Sequence, residues 1–394
     1  MIKLISNLCE LASIKEDWDL LYQQDNNYSP FQSYDYNYIS SEIMMISKCY
    51  IYIICYYKEK NKKADAILPL YIDTEGTLRF INDEHTDFST ALIRIGLRTD
   101  FSMYEEIYQY IISNKNINRI FLNHLCHGDL LIPYMGYFNC HAKIYRTENY
   151  SSFPIFKEDS NKSYIDSFSH LTAKERNRLK NIDKKLTETT FKILNAKNSD
   201  QYPEDAINKL MEEMIVKGIR TDIYFNALFK KFIKELYNKG ILTIAILSDY
   251  NKIVSISFYF QCKNNSLIQW VIIYADKKYN MWNKLCCLKY FYNQGGGIFN
   301  FGRGTYGYKV QHFRPVIQNL FCVDIPLTTK AQFNIIKNEC VSFLKDKLRT
   351  IIKKQRINVN PSTKHQKYGV KLYALLAATA YNLHKYSLAI YHSL

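Results

Sequence analysis

The amino-acid sequence predicts an α/β (α+β) protein with two tandem mixed-sheet modules, a helical segment between them and a helical extension at the C-terminus. Two observations support this prediction. Each half of the chain shows a hairpin pattern, one or two further strands, an amphipathic helix and a last strand. A basic helical block separates the two halves. Repetition of one element order indicates two copies of one structural unit.

The first half contains the elements of one module. Two β-rich runs, residues 50–57 and 64–71, flank the mostly charged residues 58–63, and this arrangement predicts a hairpin. The other elements predicted in this half are a helix over 13–24, strands over 78–81 and 90–95, a helix over 103–112 and a strand over 119–122.

The second half repeats this order. Strands over residues 241–247 and 254–260 flank turn residues 248–252, which predicts a second hairpin. The elements that follow are a strand over 266–274, a helix over 282–292, a strand over 298–301 and a last strand over 316–325.

A basic helix lies between the halves. Residues 172–175, Thr-Ala-Lys-Glu, form a capping-box pattern that predicts the start of the helix. Arg176, Lys180 and Lys184 are spaced four residues apart on one face, where like charges destabilise a helix slightly. We therefore expect either a solvated face or an anionic partner at this position. Two further helices are predicted over 203–217 and 224–239, and Gly240 ends the second.

Composition indicates a globular protein, with 47% hydrophobic and 23% charged residues. The formal net charge of +15 is compatible with a polyanionic partner such as a nucleic acid, although Lys is frequent throughout the chain. The ten cysteines include no Cys-x-x-Cys pair, so we expect reduced thiols in a cytoplasmic protein. Neither a secretion signal nor a membrane-spanning helix is expected.

The stretch 299–309, Phe-Asn-Phe-Gly-Arg-Gly-Thr-Tyr-Gly-Tyr-Lys, carries the strongest functional signal. It places three glycines within six positions directly after a short apolar strand, beside ionisable side chains. Ligands bind α/β sheets at the carboxyl ends of their strands, so this loop is expected to form a site. A glycine-rich surface turn is the alternative interpretation.

This motif resembles the closing motif of the FemAB-like and CelD-like group of GNAT acyltransferases, which includes the BioF2-like acetyltransferase domain. That pattern is Phe-Asp-Phe-Gly-Arg-Gly followed by Tyr-Lys, and this chain has Asn300 in place of the Asp. Weaker landmarks of the family are Phe31, the run 68–70 (Leu-Pro-Leu) and the run 85–88 (His-Thr-Asp-Phe). The resemblance covers residues 15–325 and implies two GNAT-like modules that transfer an acyl group to an amine.

The motif supplies the candidate catalytic residues. Tyr308 is expected to protonate the leaving group, and Lys309 to stabilise oxyanion charge or bind a carboxylate of the acceptor. Arg303 suits a phosphate or carboxylate group. Asp87 is expected to orient an amine, or else to form only a turn. The complete set of predicted substrate-binding residues is Arg303, Gly302, Gly304, Asp87 and His85.

The first expected donor is acyl-CoA or an acyl carrier. GNAT enzymes hold the donor pyrophosphate at the start of the helix after their fourth strand, where backbone amides favour anions. Here that junction, residues 276–284, has no glycine and contains the bulky Trp282. The predicted donor phosphate-binding residues are Lys277, Lys278, Lys284, Arg176 and Lys180.

Two alternative functions remain open on the sequence. An aminoacyl-tRNA donor, which the resemblance to Fem enzymes implies, fits the positive charge and the basic helix. A binding protein that has lost catalysis fits Asn300 and the altered helix start. No metal is expected, because His124, Cys126, His127 and Asp129 crowd one loop without a second cluster.

The sequence predicts three regions: module one over 1–160, the basic helical segment with module two over 161–330, and a helical extension over 331–394. In the extension, helices are predicted over 331–354 and 368–391. The last helix is amphipathic and is expected to dock on protein, or to lie on a membrane surface through Lys371, His384 and Lys385.

Overall fold

The structure is a computed structural model that describes residues 1–44, 49–59, 62–156, 163–186, 188–304 and 307–335. Residues 1–327 form one compact unit, and residues 328–394 belong to a second. Within the second unit, residues 329–335 are helical. The rest of the helix predicted over 331–354, and all of the one predicted over 368–391, lie outside the described residues.

The first 156 residues form nine strands and five helices among the described residues. The strands are β1 (Ile2–Ile5), β2 (Cys49–Ile51), β3 (Ile53–Tyr56), β4 (Ala66–Leu68), β5 (Leu70–Asp73), β6 (Thr77–Phe80), β7 (Leu92–Ile93), β8 (Arg119–Cys126) and β9 (Lys143–Phe156). The helices are α1 (Leu8–Ser13), α2 (Lys15–Gln24), α3 (Tyr34–Ile39), α4 (Phe101–Ser113) and α5 (Leu131–Tyr137).

The rest of the compact unit adds further helices and strands. The helices are α6 (Ala173–Asp183), α7 (Glu204–Val216), α8 (Ala227–Asn238), α9 (Lys277–Asn293) and α10 (Gly307–Phe313). The strands are β10 (Thr189–Leu194), β11 (Leu242–Asp249), β12 (Lys252–Gln261), β13 (Ser266–Tyr274), β14 (Gly296–Arg303) and β15 (Val316–Pro326). Short helical turns occur at Pro30–Gln32, Ser40–Met44, Ile95–Leu97, Lys184–Leu186 and Ala196–Asn198.

The described strands form two sheets, so the predicted α/β class is confirmed. The large sheet has eleven strands in the order β10-β11-β12-β13-β14-β9-β15-β8-β6-β5-β2, and the small one has the order β1-β3-β4-β7. Between named strands, the parallel pairs are β13 with β14 and β6 with β8. Strands of both halves therefore lie in one continuous sheet.

Strands β9 and β15 join the two halves. The long strand β9 pairs with β14 on one side and with β15 on the other. Strand β15, which closes the second half, pairs in turn with β8 of the first half. The sequence did not predict β9, because its polar and apolar residues do not alternate regularly. The two predicted modules are thus connected by backbone hydrogen bonds.

The first predicted hairpin is divided between the two sheets. Strand β3 pairs with β4 in the small sheet, whereas β2 pairs with β5 in the large one. The interruptions are at Tyr52 and Pro69, and proline has no backbone N–H to donate to a ladder. The prediction of two uninterrupted strands over 50–57 and 64–71 is therefore wrong in continuity, although their pairing is correct.

Helix boundaries follow the sequence signals closely. At the start of α6, the Thr172 side chain accepts a hydrogen bond from the Glu175 backbone N–H, and the Glu175 carboxylate accepts from Thr172, so the capping box is confirmed. Helix α8 packs an apolar face, including Phe229, Phe232 and Leu236, into the core beneath the second half. The N–H of Gly240 donates to the carbonyl of Tyr237 after the helix ends.

Candidate functional site

Strands β13 and β14 separate after a short stretch of pairing. Their parallel ladder contains only three residue pairs and ends at Ile268 opposite Asn300. Beyond it, β13 continues to Tyr274 while β14 bends at Gly302, where φ is +69°. A Cβ at Gly302 would lie 2.7 Å from the Gln269 carbonyl oxygen, so this close approach requires glycine.

A cavity of about 230 Å³ lies where the two strands separate. Its walls come from β13, β14, α7 and the segment after it, α9 and α10. Among the described residues that line it, four are basic and none is Asp or Glu. The basic residues are Arg220, Lys284, Arg303 and Lys309.

Lys309 is fixed at the wall of this cavity by α10. Its side chain is buried, and Nζ donates to the carbonyl oxygens of Phe301 and Gly304 at 2.8 Å each and to that of Arg303 at 3.4 Å. Burial lowers the pKa of Lys309 to about 8, and the Asp87 carboxylate partly opposes this shift. Lys309 therefore places a positive charge directly against the Gly-Arg-Gly turn at neutral pH.

Lys284 lies in the same cavity, far from solvent. It is 1% exposed, and Nζ donates to Oε1 of Gln269 at 2.6 Å. Burial, with a smaller contribution from the charge of Lys309, lowers the pKa of Lys284 well below its ordinary value. Gln269 in turn donates to Ser257 Oγ at 3.2 Å, and Ser257 donates to Asn283 Oδ1 at 2.6 Å. A polar chain buried under α9 therefore holds Lys284.

Arg303 connects the motif to the first half of the chain. Its backbone N–H donates to Asp87 Oδ2 at 3.1 Å, and its Nη2 donates to the Glu84 carbonyl oxygen at 2.8 Å. Nη1 lies 3.1 Å from His124 Nδ1, and Nε lies 3.4 Å from a Glu148 oxygen. Burial raises the pKa of Asp87, and the charge of Arg303 opposes that shift. The protein itself thus supplies the carboxylates around Arg303.

His85 is placed beside the site rather than in it. The ring stacks on Phe229 at a centroid distance of 4.9 Å, and Trp270 Nε1 donates to the His85 carbonyl oxygen at 2.9 Å. Burial lowers the pKa of His85 to about 4, so the imidazole is neutral at pH 7. Neither His85 nor Asp87 is among the described residues that line the cavity.

The lysines at the start of α9 differ from Lys284 in their exposure to solvent. Lys277 and Lys278 are exposed, whereas Lys284 is buried. The Asp276 side chain accepts the backbone N–H of Lys278 at 2.9 Å and thereby caps the helix. A carboxylate therefore occupies the helix N-terminus, where a GNAT enzyme would bind the pyrophosphate of its donor.

The two candidates on α6 lie away from the cavity. Arg176 donates through Nη1 to the carbonyls of Phe168, at 3.3 Å, and of Leu171. Lys180 forms an ion pair with Asp166 at 2.6 Å. Both side chains therefore have local partners, and their role in donor binding stays a prediction. Tyr308 belongs to α10, but its side chain lies outside the described part of the structure.

A larger cavity of about 700 Å³ lies nearby. Ile268 and Asn300 line it, whereas their neighbours Gln269 and Phe301 line the smaller cavity. Since successive residues of a strand point to opposite faces, the two cavities lie on opposite sides of β13 and β14. The basic residues of the motif belong to the smaller one.

Among the described residues, no three His, Cys, Asp or Glu side chains are arranged to hold a metal ion. His124, from the loop considered for a metal, contacts Arg303 instead. The nine described cysteines are free thiols. No helix in the described part of the chain has the length and apolar character needed to cross a bilayer.

The sequence did not predict that Lys284 is buried together with Lys309. One signal was available, because Lys284, Leu288 and Phe291 are spaced four and three residues apart on one helix face. A lysine on such a face is either buried or directed to a pocket. The participation of Gln269, Arg220 and Glu148 had no local signal.

No family model matches the sequence, and no curated protein does. Solved structures do match. FemX has a TM-score of 0.57 at 8% identity over 82% of this chain and 98% of its own. L-PGS from Bacillus licheniformis has a TM-score of 0.54 at 10% identity, over 80% of this chain and 92% of its own. The C-terminal domain (DUF2156) of an Agrobacterium fabrum protein assigned as a lysylphosphatidylglycerol synthetase has a TM-score of 0.53 at 8% identity, over 83% of this chain and 95% of its own.

The TM-scores of these three structures show a shared fold, and at such low identities they show the fold alone. The chain therefore has the fold of FemX and L-PGS, and the resemblance to Fem-type proteins that the motif predicted is confirmed at this level.

Proposed function

We propose that the protein is an acyltransferase whose reaction takes place in the 230 Å³ cavity between β13 and β14. The observation that supports this most directly is Lys309, a buried cation held by three backbone carbonyls at the cavity wall. The fold that it shares with FemX and L-PGS supports the same class of reaction.

Lys309 has the charge that acyl transfer requires. When an amine attacks a thioester or ester carbonyl, negative charge develops on the carbonyl oxygen. A fixed cation in a site of low dielectric constant stabilises that charge far better than water does. The backbone carbonyls keep the ammonium in place, and the bond to the Arg303 carbonyl, at 3.4 Å, is the weakest of the three. We infer that the oxyanion takes over this third donor.

The proposed acceptor is an amine of a small molecule, a peptide or a cell-envelope component. Arg303 holds the turn in place through Asp87 and Glu84, which leaves Lys309 as the proposed contact to the reacting carbonyl. Protonation of the leaving group by Tyr308 is retained as part of the proposal.

Acyl-CoA is the first candidate donor, since GNAT enzymes use it. Aminoacyl-tRNA is the second, and a specific observation favours it. The Asp276 carboxylate caps α9 and would repel a pyrophosphate at that helix terminus. The net charge of +15 favours a polyanionic donor. One similar structure is assigned to a lysylphosphatidylglycerol synthetase, a name that includes a lysyl group in the product.

The test measures transfer to methoxyamine, a small amine, from acetyl-CoA and from a mixture of aminoacyl-tRNAs. We expect Lys309→Met to lower kcat/KM by about 10²- to 10³-fold, because one oxyanion-stabilising group is removed. Lys289→Met is the matched control, since Lys289 is exposed on α9. Transfer from aminoacyl-tRNA alone, weakening steeply with added salt, would assign the second donor. Absence of transfer from either donor would contradict the proposal and favour a binding protein.

A further inference from the structure

The larger cavity, of about 700 Å³, has no role in the proposed acyl transfer, because Lys309 lines the smaller one. Its volume lies within the range of about 300–1,000 Å³ that small-molecule sites occupy. Both halves of the chain line it, Ser89 and Arg98 from the first and Ile268 and Asn300 from the second. Residues that are distant in the chain therefore meet around one cavity.

The charges on the described lining of this cavity nearly cancel. Among Asp, Glu, Lys and Arg it includes only Asp25, Arg98 and Asp129, although the chain has 52 Lys and Arg residues. Nη2 of Arg98 donates to Oδ2 of Asp25 at 2.5 Å, so these two charges compensate each other. Burial raises the pKa of Asp129, whose Oδ1 accepts the Leu131 backbone N–H at 2.9 Å. An uncharged ligand therefore suits this cavity better than an anion or a cation.

Ser89 contributes an unpaired hydroxyl group to the lining. The residue is 3% exposed, and its backbone N–H donates to the His124 carbonyl oxygen at 3.0 Å. Its Oγ, in contrast, has no hydrogen-bond partner among the described residues. A buried polar atom without a partner costs free energy, and native proteins contain few of them. A ligand that accepts a hydrogen bond from Ser89 would remove that cost.

Asn300 lines the same cavity from the Gly-Arg-Gly motif. It is 9% exposed, and its Oδ1 accepts the Gly302 backbone N–H at 2.8 Å. The N–H groups of the amide are therefore the part of this side chain that can bind a ligand. An ionised Asp, the residue that the FemAB-like pattern has here, would accept the same backbone N–H but donate nothing. Asn300 and Ser89 together thus offer donors that suit a carbonyl oxygen.

We propose that the larger cavity binds an uncharged amide-bearing ligand, such as a short peptide segment, whose carbonyl oxygen accepts hydrogen bonds from Asn300 and Ser89. Apolar and aromatic residues, among them Phe88, Ile93 and Ile268, form much of the remaining lining. A peptide-like ligand combines carbonyl groups with apolar side chains, so it matches both parts of this lining. A polyol offers less apolar surface. This binding is separate from acyl transfer and does not depend on it.

The binding experiment titrates the full chain with acetylated dipeptide amides that contain Ala, Val, Leu or Phe, followed by saturation-transfer difference NMR. We expect saturable binding of at least one of these uncharged probes. The same dipeptides with free termini should bind at least about 10-fold more weakly, because Arg98, which could pair with their carboxylate, is already paired with Asp25. Methyl β-glucopyranoside, an uncharged polyol, should also bind more weakly.

Two variants test the donors. Asn300→Asp keeps the acceptor for Gly302 but places an oxygen against the ligand carbonyl, so it should weaken binding by about 10-fold or more. Ser89→Ala removes an unpaired hydroxyl, and it should weaken binding by about 3- to 10-fold without lowering the unfolding midpoint. Asn238→Asp is the matched control, since it makes the same change of charge at an exposed position of α8.

Lys309→Met tests the location of the ligand. It should bind the dipeptide amides as the wild-type protein does, because Lys309 lines the smaller cavity. Loss of binding in this variant would place the ligand in the smaller cavity and overturn the proposal. Wild-type affinity in Asn300→Asp or in Ser89→Ala would overturn it as well. So would the absence of binding by every dipeptide amide, or equally tight binding of the free dipeptides or the glucoside. No readout requires turnover, so failure of acyl transfer leaves each result interpretable.

Discussion

The two halves of the chain contain one helix each that connects two parallel strands, and the buried faces of these helices differ. In the first half α4 lies between β6 and β8, and in the second α9 lies between β13 and β14. The buried residues of α4 are all apolar or aromatic, among them Met103, Ile107 and Ile111. Those of α9 include Asn283 and Lys284. The same strand–helix–strand arrangement therefore has an apolar buried face in the first half and a partly polar one in the second.

The difference shows where stability and chemistry are located. An apolar face contributes the transfer free energy of its buried surface, about 25 cal/mol for each Å². Burying an ionisable side chain costs free energy, and functional sites are where such side chains are concentrated. The strands follow this pattern as well, since β13 and β14 separate and leave a cavity beside the lysines. The first half therefore mainly supports the sheet, while the second contains the candidate site.

The largest effect on the free energy of unfolding is expected from placing a lysine on the buried face of α4, in the first half. Ile107→Lys places an amine among the apolar residues packed under α4, and it should lower the free energy of unfolding by about 4 kcal/mol or more. Urea denaturation measures this. Ile112→Lys is the control, because Ile112 is 38% exposed on the same helix and its substitution should cost less than about 0.5 kcal/mol. Equal stability of both variants would show that α4 tolerates a buried amine.

An intermediate effect is expected at the connection between the halves. Asp87→Asn removes the carboxylate that accepts the Arg303 backbone N–H and faces its guanidinium, so it should lower the free energy of unfolding by about 1–3 kcal/mol. Chemical denaturation measures the change. Glu84→Gln is the matched control, since the Glu84 side chain is exposed and only its carbonyl contacts Arg303. An unchanged midpoint in Asp87→Asn would mean that the Arg303 contacts contribute nothing to stability.

The smallest effect concerns the pH dependence of stability. Burial lowers the pKa of Lys284 in the folded state well below its ordinary value, so the unfolded state holds more protons than the folded state just below the ordinary lysine pKa. Wild-type stability should therefore rise with pH in the pH unit below the ordinary lysine pKa, by at most about 1.4 kcal/mol from this group. Lys284→Met should lack that contribution, and Lys289→Met should retain it. Parallel curves for wild type and Lys284→Met would show that folding does not shift the pKa.

Much of the second half could be predicted from its sequence. Strand β13 has the predicted bounds, and α9 and β14 extend the predicted helix and strand at both ends. These elements have strong local periodicity, which decides their conformation. The glycines of the motif likewise indicated the turn that contains Arg303. The first half was harder to predict from sequence. There the break at Pro69 divides the strands of one hairpin between two sheets, and pairing with residues distant in the chain decides which sheet each strand joins.

The sequence by itself determined the α/β class and the position of the Gly-Arg-Gly turn, and it singled out Lys309 as a candidate, since each depends on residues close together in the chain. Tertiary structure alone decided that Arg303 contacts Asp87 and Glu148, and that Lys284 enters the cavity of Lys309. These contacts join residues 25 to more than 200 positions apart. The charge state of a buried amine depends on everything packed around it, and no local pattern records that environment.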